Sequence, residues 1–188
     1  MIEIEVKAII HDSQKIYDAL EEMGCAWGEK IWQHDTVYLP KDFIWSIEGN
    51  SKLKVPIMRI RREKGGSKLT MKIPLEVTLA NHEIELDISD PEAMEVILLQ
   101  LGYNQQIAMV EKTRRKTKWQ DYEICVDAVV GLGDFVEVET FSDFDPTLVQ
   151  EDLFLFLERL GIARENRVNR GYDALVWAKN QGIEWQKL

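Results

Sequence analysis

Apolar and charged side chains alternate from the first residues: Ile2, Ile4, Val6 and Ala8 fall on one phase, Glu3, Glu5 and Lys7 on the other. Side chains two apart on a strand point the same way, about 7 Å from one another. The segment therefore predicts a strand with one apolar face and one charged face, on which Glu3 and Glu5 repel unless water, a cation or a basic group lies between them. The pattern returns at His82-Glu83-Ile84-Glu85-Leu86-Asp87. Each copy then runs into a helix, the first from Asp12-Ser13 to Gly24 and the second from Asp90-Pro91-Glu92 to Gly102. Both begin on an Asp suited to capping and stop at a Gly suited to a left-handed turn. Ile16, Ala19, Leu20 and Met23 stripe one helix, and Met94, Ile97, Leu98 and Leu101 the other. The two copies read as a degenerate internal duplication.

Further extended segments are predicted at 32–39, 57–62, 68–73, 83–88, 107–118, 122–129 and 134–140, which with the first strand makes eight. The charges sort by strand. Glu3 with Glu5, Glu83 with Glu85 and Asp87, and Glu137 with Glu139 are acidic faces, joined by Asp127. Arg59 with Arg61, Lys68 with Lys72, and Lys112 with Arg114 are basic ones. The opposite phases are apolar, through Ile57 and Ile60, through Leu69, Met71 and Ile73, and through Val136 and Val138. A solvated face mixes signs; faces this pure suit a hydrated interior. The expectation is an α+β fold: a closed eight-stranded antiparallel β-barrel with a polar lumen, built from two pseudo-repeated halves. Helices at 146–161, through Leu148, Leu153, Phe156, Leu157 and Leu160, and at 171–181 are expected to cover it.

Length and composition fit one domain spanning 1–188. The chain is 45% hydrophobic, enough for a sizeable core, and has no low-complexity linker. The charged strand right after Met1 leaves no room for a secretory signal, so a cytoplasmic protein is expected. A formal net charge of −10 argues against general affinity for nucleic acid or an anionic membrane. Cys25 and Cys125 are too few for a disulfide framework, and His11, His34 and His82 are scattered. A metal here would be a hard cation held by oxygens, and clustered Arg and Lys call for a polyanion. A metal-bridged polyphosphate satisfies both.

These residues resemble the CYTH superfamily of triphosphate tunnel metalloenzymes, and within it most resemble the class IV adenylyl cyclase branch and its archaeal relatives. The resemblance rests on Glu3-Ile4-Glu5-Val6-Lys7, His34-Asp35-Thr36-Val37-Tyr38 with Pro40-Lys41-Asp42-Phe43, Arg59-Ile60-Arg61, Lys68-Leu69-Thr70-Met71-Lys72, and Glu83-Ile84-Glu85. It continues through Lys112-Thr113-Arg114, Asp127 and Gly131-Leu132-Gly133-Asp134-Phe135-Val136-Glu137-Val138-Glu139. It implies a tunnel in which Glu3, Glu5, Glu85, Asp127, Glu137 and Glu139 hold Mg²⁺ or Mn²⁺ while Lys7, Arg59, Arg61, Lys72, Lys112 and Arg114 grip a triphosphate. Glu5, Lys7 and Glu137 are the implied catalytic residues. Catalysis would be electrostatic, without a serine or cysteine nucleophile.

Two places depart from the pattern. Lys54-Val55-Pro56-Ile57-Met58 leads into the Arg-x-Arg where the cyclase branch has acidic and small residues, and Asn169-Arg170-Gly171-Tyr172 has Gly where relatives often have Ser. Both fall on the nucleotide-facing side of the pattern rather than on the triphosphate grip. The implied activity is cyclisation of ATP to 3′,5′-cyclic AMP and pyrophosphate. The alternatives are an organic or inorganic triphosphatase, or a non-catalytic nucleotide or polyphosphate sensor. The partner is then a nucleoside or inorganic triphosphate, and composition and family habit are compatible with a homodimer. Tyr38 has a structural hydrogen bond or proton transfer as its readings. The six Trp residues (27, 32, 45, 119, 177 and 185) read as packing, Arg115, Lys116 and Lys118 as a solvated hairpin arm, and Asp121 as turn chemistry.

Overall fold

A computed structural model describes residues 2–43 and 55–188; Trp45 and Lys54 lie outside them. Each half of the chain follows one plan, a strand, a helix and three strands. The first comprises β1 (Ile2–Ile10), α1 (Ser13–Glu22), β2 (Ile31–Leu39), β3 (Ile57–Glu63) and β4 (Gly66–Pro74). The second comprises β5 (Ala80–Ile88), α2 (Pro91–Gln100), β6 (Gln105–Trp119), β7 (Tyr122–Val129) and β8 (Gly133–Ser142). Then come α3 (Pro146–Arg159), the two-residue β9 (Arg167–Val168) and α4 (Tyr172–Asn180).

The antiparallel order β5-β4-β3-β2-β6-β7-β8-β1 closes on itself where Glu3 pairs with Asn81 and Ile4 with Ala80. Exchanging the halves, β1 for β5 and so on, returns the same order read backwards, so the duplication seen in the sequence is a pseudo-twofold of the barrel. The helix ends repeat too. Asp12 accepts from the Lys15 N–H and Asp90 from the Ala93 N–H. Gly24 and Gly102 take φ of +85° and +93°, and the next residue's N–H returns to Leu20 or Leu98. That left-handed step with its returning hydrogen bond closes both helices in the same way.

Outside the barrel, α1 and α3 cover the apolar phase of β1, β7 and β8: Ile4, Val6, Val136 and Val138 pack against Ile16, Leu20, Leu153 and Leu157. Each such fully buried aliphatic side chain contributes about 1.5–3 kcal/mol. Leu98 and Met94 of α2 pack over Ile60, Met58 and Leu69. Met23, Ile97, Leu101 and Leu148, expected on apolar stripes, are exposed. The pseudo-repeat breaks on the outer face: Ile4 and Val6 are 0% exposed, whereas their counterparts Ile84 and Leu86 are 55% and 58% exposed. Among the described residues, no equivalent of α3 covers β5.

Two expectations need correction. Ile57 shares the inward phase of Arg59 and Arg61 and lines the lumen, so Met58 and Ile60 form the outer face. The period of two requires this, since Ile57 and Arg59 are two residues apart. The last helix does not lie on the outer surface. Leu175 and Ala178 of α4 pack with Ala108, Val110, Val129 and Phe135, which are inward residues at one end of the lumen, and the helix stoppers that end. It is pinned there by Lys179, whose ammonium donates to the Gly131 carbonyl at 2.6 Å. Gly131 has φ +77° and leaves no room for a Cβ beside that ammonium.

Of the Trp residues within the described range, three are packed as expected: Trp27 edge-on to Tyr17, Trp119 stacked on Phe156, and Trp185 against Phe135. Trp32 is more exposed and donates to Glu111. Cys25 and Cys125 are buried free thiols.

Candidate active site

The barrel encloses a cavity of about 770 Å³. Because side chains alternate along each strand, the charged phases all arrive in it: Glu3, Glu5 and Lys7 from β1, Arg59 and Arg61 from β3, Lys72 from β4, Glu85 from β5, Lys112 and Arg114 from β6, and Glu137 and Glu139 from β8. Asp127 does not line the cavity. It is fully buried one step behind, where Arg114 donates to both its oxygens at 2.7 and 2.5 Å and Lys112 donates at 3.1 Å.

Most of the charge is internally paired. Lys7 lies 3.1 Å from both Glu5 and Glu137, and Arg114 reaches Glu137 at 2.7 Å. Burial opposes ionisation of Glu137, but Arg114 and Lys7 overcome it and hold its carboxyl well below the usual range. Lys72 joins Glu3 at 2.9 Å to Glu83 at 2.6 Å, and Lys68 holds Glu85 at 2.6 Å. Burial with Arg114 nearby pulls the Lys112 ammonium down to about 8. The rings under these cations matter as well. Tyr172, the first residue of α4, lies 4.0 Å from the Lys7 ammonium and 4.7 Å from that of Lys112, within reach of a cation–π attraction.

Three carboxylates crowd together all the same, and of these Glu139 has no cation within ion-pair distance among the described residues. Oxygens of Glu3, Glu5 and Glu139 lie within 4.8 Å of one another. Burial, then repulsion from Glu137, pushes Glu139 up to about 7. Burial also raises Glu3, to about 8, against the pull of Lys72. Three hard oxygen donors this close together suit a hard divalent cation such as Mg²⁺ or Mn²⁺, which would relieve the repulsion between them. Of the other carboxylates expected around a metal, Glu137 and Asp127 face cations, and Glu85 is held by Lys68 with Arg59 nearby.

Sequence reasoning passed over Asp35. It takes a bidentate grip from Arg61, 2.7 Å at each oxygen, and lies 3.9 Å from Arg59. Burial would raise its carboxyl, yet the two guanidiniums hold it well below the ordinary value. It pairs β2 with β3 as Arg114 and Asp127 pair β6 with β7, so the two halves carry equivalent salt bridges with the signs exchanged. The signal was present, since Asp35 shares the inward phase of Gln33 and Val37. Lys116, expected in solvent, lines the cavity and pairs with Glu123. Arg115 instead lies over Tyr17 and Trp27, and Lys118 is exposed. Tyr38 lies outside the barrel, where its hydroxyl donates to Glu95 at 2.7 Å.

A family model described as the CYTH domain matches residues 1–172. A Methanocaldococcus jannaschii protein provisionally named an adenylate cyclase is 32% identical over 178 residues, 92% of this chain and 97% of its own. Among solved structures, a Pyrococcus horikoshii protein is similar at TM-score 0.75 and 26% identity, covering 94% of this chain and 99% of that one. A Hippeastrum protein described as an adenylyl cyclase candidate with a dominant triphosphatase activity is similar in fold at TM-score 0.57 and 19% identity, over 86% of this chain and 88% of that one.

Proposed function

Because the chain belongs to the CYTH domain family, we propose that it is a divalent-metal-dependent enzyme acting on triphosphates, with conversion of ATP to cyclic AMP and pyrophosphate as its first reading. The observation that carries this is the meeting, in one barrel cavity, of the Glu3, Glu5 and Glu139 trio with cations from four strands. A pure anion binder would not need so many carboxylates.

The family acts on triphosphates with divalent metals. Here Glu3, Glu5 and Glu139 would hold the cation. Bound there, it would neutralise charge on phosphoryl oxygens and lower the pKa of an attacking water or hydroxyl. Lys7, Arg59, Arg61, Lys72, Lys112 and Arg114 would orient the triphosphate, and their fixed positions would stabilise charge that develops in the transition state. Asp35, Asp127 and Glu137 would act behind them by holding Arg61, Arg114 and Lys7 in place.

The cyclase reading follows the name carried by the M. jannaschii relative over nearly its whole length. A second reading is hydrolysis of the triphosphate to a diphosphate and orthophosphate. Gly171, which lines the cavity without a hydroxyl to order a ribose, favours it, as does the activity described for the Hippeastrum protein. The purified protein incubated with Mn²⁺ and either ATP or inorganic triphosphate separates the two. Cyclic AMP and pyrophosphate from ATP are expected on the first reading; orthophosphate from both substrates establishes the second; no product from either sinks the enzyme.

A further inference from the structure

Among the described residues, nine cationic side chains line the tunnel, and eight of them have a carboxylate oxygen within 4 Å. Arg170 is the exception among the described residues. Its Nε is buried without a hydrogen-bond partner, and its Nη1 donates only to the carbonyl of the preceding Asn169, at 3.0 Å. Arg167, three residues earlier, shows what an ordinary structural arginine does here: it reaches Glu151 and donates to the Asn169 side chain at 2.9 Å. Asp173 also lines the cavity, but its carboxylate leans back over Gly171 and forms no ion pair with Arg170.

A guanidinium presents five donors in a rigid fork, and a buried donor left empty is unfavourable unless something fills it. At the other eight described cations of the tunnel an incoming phosphate must share the cation with, or take it from, a carboxylate. That exchange offsets much of the gain. At Arg170 no pair has to be broken. We propose that Arg170 binds a phosphate group of the substrate directly, at the end of the tunnel where α4 begins, and that it gives the polyphosphate chain the one cation, among the described residues lining the tunnel, that no carboxylate already balances. This rests on the triphosphate reading of the tunnel. Arg170 has no acid to hold in the unliganded protein, so its contribution is made only when the anion arrives. A bidentate fork on phosphate is the geometry that arginine supplies and lysine only partly replaces.

Calorimetric titration of inorganic triphosphate with Mg²⁺ into wild type, Arg170→Gln and Arg170→Lys tests this, alongside the melting temperature of each unliganded protein. Arg170→Gln should weaken binding by about tenfold and Arg170→Lys should recover part of the loss. All three unliganded proteins should melt together. Equal affinity in wild type and Arg170→Gln overturns the assignment alone, as does a loss that comes with a lower melting temperature in Arg170→Gln. A wild type that does not bind inorganic triphosphate removes the triphosphate reading, and this assignment with it.

Discussion

Glu139 stands where charge is least well matched in the tunnel, with Glu137, Glu5 and Glu123 as acidic neighbours and its carboxyl raised to about 7. A folded-state value above the unfolded one of about 4.3 means that the protonated form is favoured by folding. The resulting stability is present below the unfolded value and is lost as the pH rises through about 7. Glu139→Gln should therefore melt higher than wild type at pH 8 without divalent cations, and nearly with it at pH 5. Its turnover of any triphosphate should fall by about 100-fold or more if the carboxylate helps to hold the metal. Differential scanning calorimetry at the two pH values checks the first half, and a product assay checks the second. A variant less stable at pH 8 would show that Glu139 is satisfied after all. Asp35 illustrates what single residues hide. Its role is visible only in register, opposite Arg61 on the neighbouring strand, and register is a property of two segments that the text of either one does not contain. Purity of charge along one strand drew the eye to Glu-x-Glu and Arg-x-Arg and away from a lone Asp between Gln33 and Val37.

Among the elements, β1 has an irregular edge that a side chain repairs. It pairs with β5 only through Glu3 and Ile4, then the Glu5 N–H reaches the Leu79 carbonyl at 3.0 Å, and Lys7 and Ala8 pair with β9. Between these, the buried amide of Gln150 on α3 donates to the Glu5 carbonyl at 3.1 Å and to the Thr78 carbonyl at 2.7 Å. Gln150→Leu should leave both acceptors empty and cost about 2–4 kcal/mol, read as a lower urea midpoint at unchanged slope. A shift under about 0.5 kcal/mol would mean that water or another donor replaces the amide. The eight long strands were legible because each alternates over several residues, and the helices because Asp and Gly mark their ends. The two-residue β9 is too short to show a period. The stoppering role of α4 was hidden for a different reason: apolar residues on a helix declare that it packs, without declaring which side of a sheet receives it. Lys116 sits between Arg115, which lies over Tyr17 and Trp27, and the exposed Lys118, so composition suggested solvent where alternation placed it inside.

At the level of the whole molecule, the tunnel makes two opposite pH demands. Arginine and lysine partners hold Asp35, Asp127 and Glu137 below their ordinary values, so the stability they bring is present above the unfolded carboxylate range and lost as the pH falls through their folded values. Glu3, at about 8, and Glu139, at about 7, act in the other direction and lose stability as the pH rises through those values. Without divalent cations, urea midpoints should therefore be highest between about pH 4.5 and 7 and decline on both sides. Excess Mg²⁺ should remove the alkaline decline, because a cation favours the ionised trio. Highest stability at pH 9 in chelator would contradict this balance.

The placement of β1 also has a consequence in time. Along the whole of one edge its partner is β8, formed by residues 133–142; on the other, β5 pairs only with Glu3 and Ile4, and Lys7 and Ala8 pair with β9, at residues 167 and 168. β1 is therefore made long before the strand that covers the whole of one edge and the pair that completes the other. Contacts so distant along the sequence close slowly, and meanwhile an apolar strand with open edges is available to other nascent chains. A circular permutant that begins at β2 and carries β1 directly after β8 would shorten that wait to the length of one hairpin.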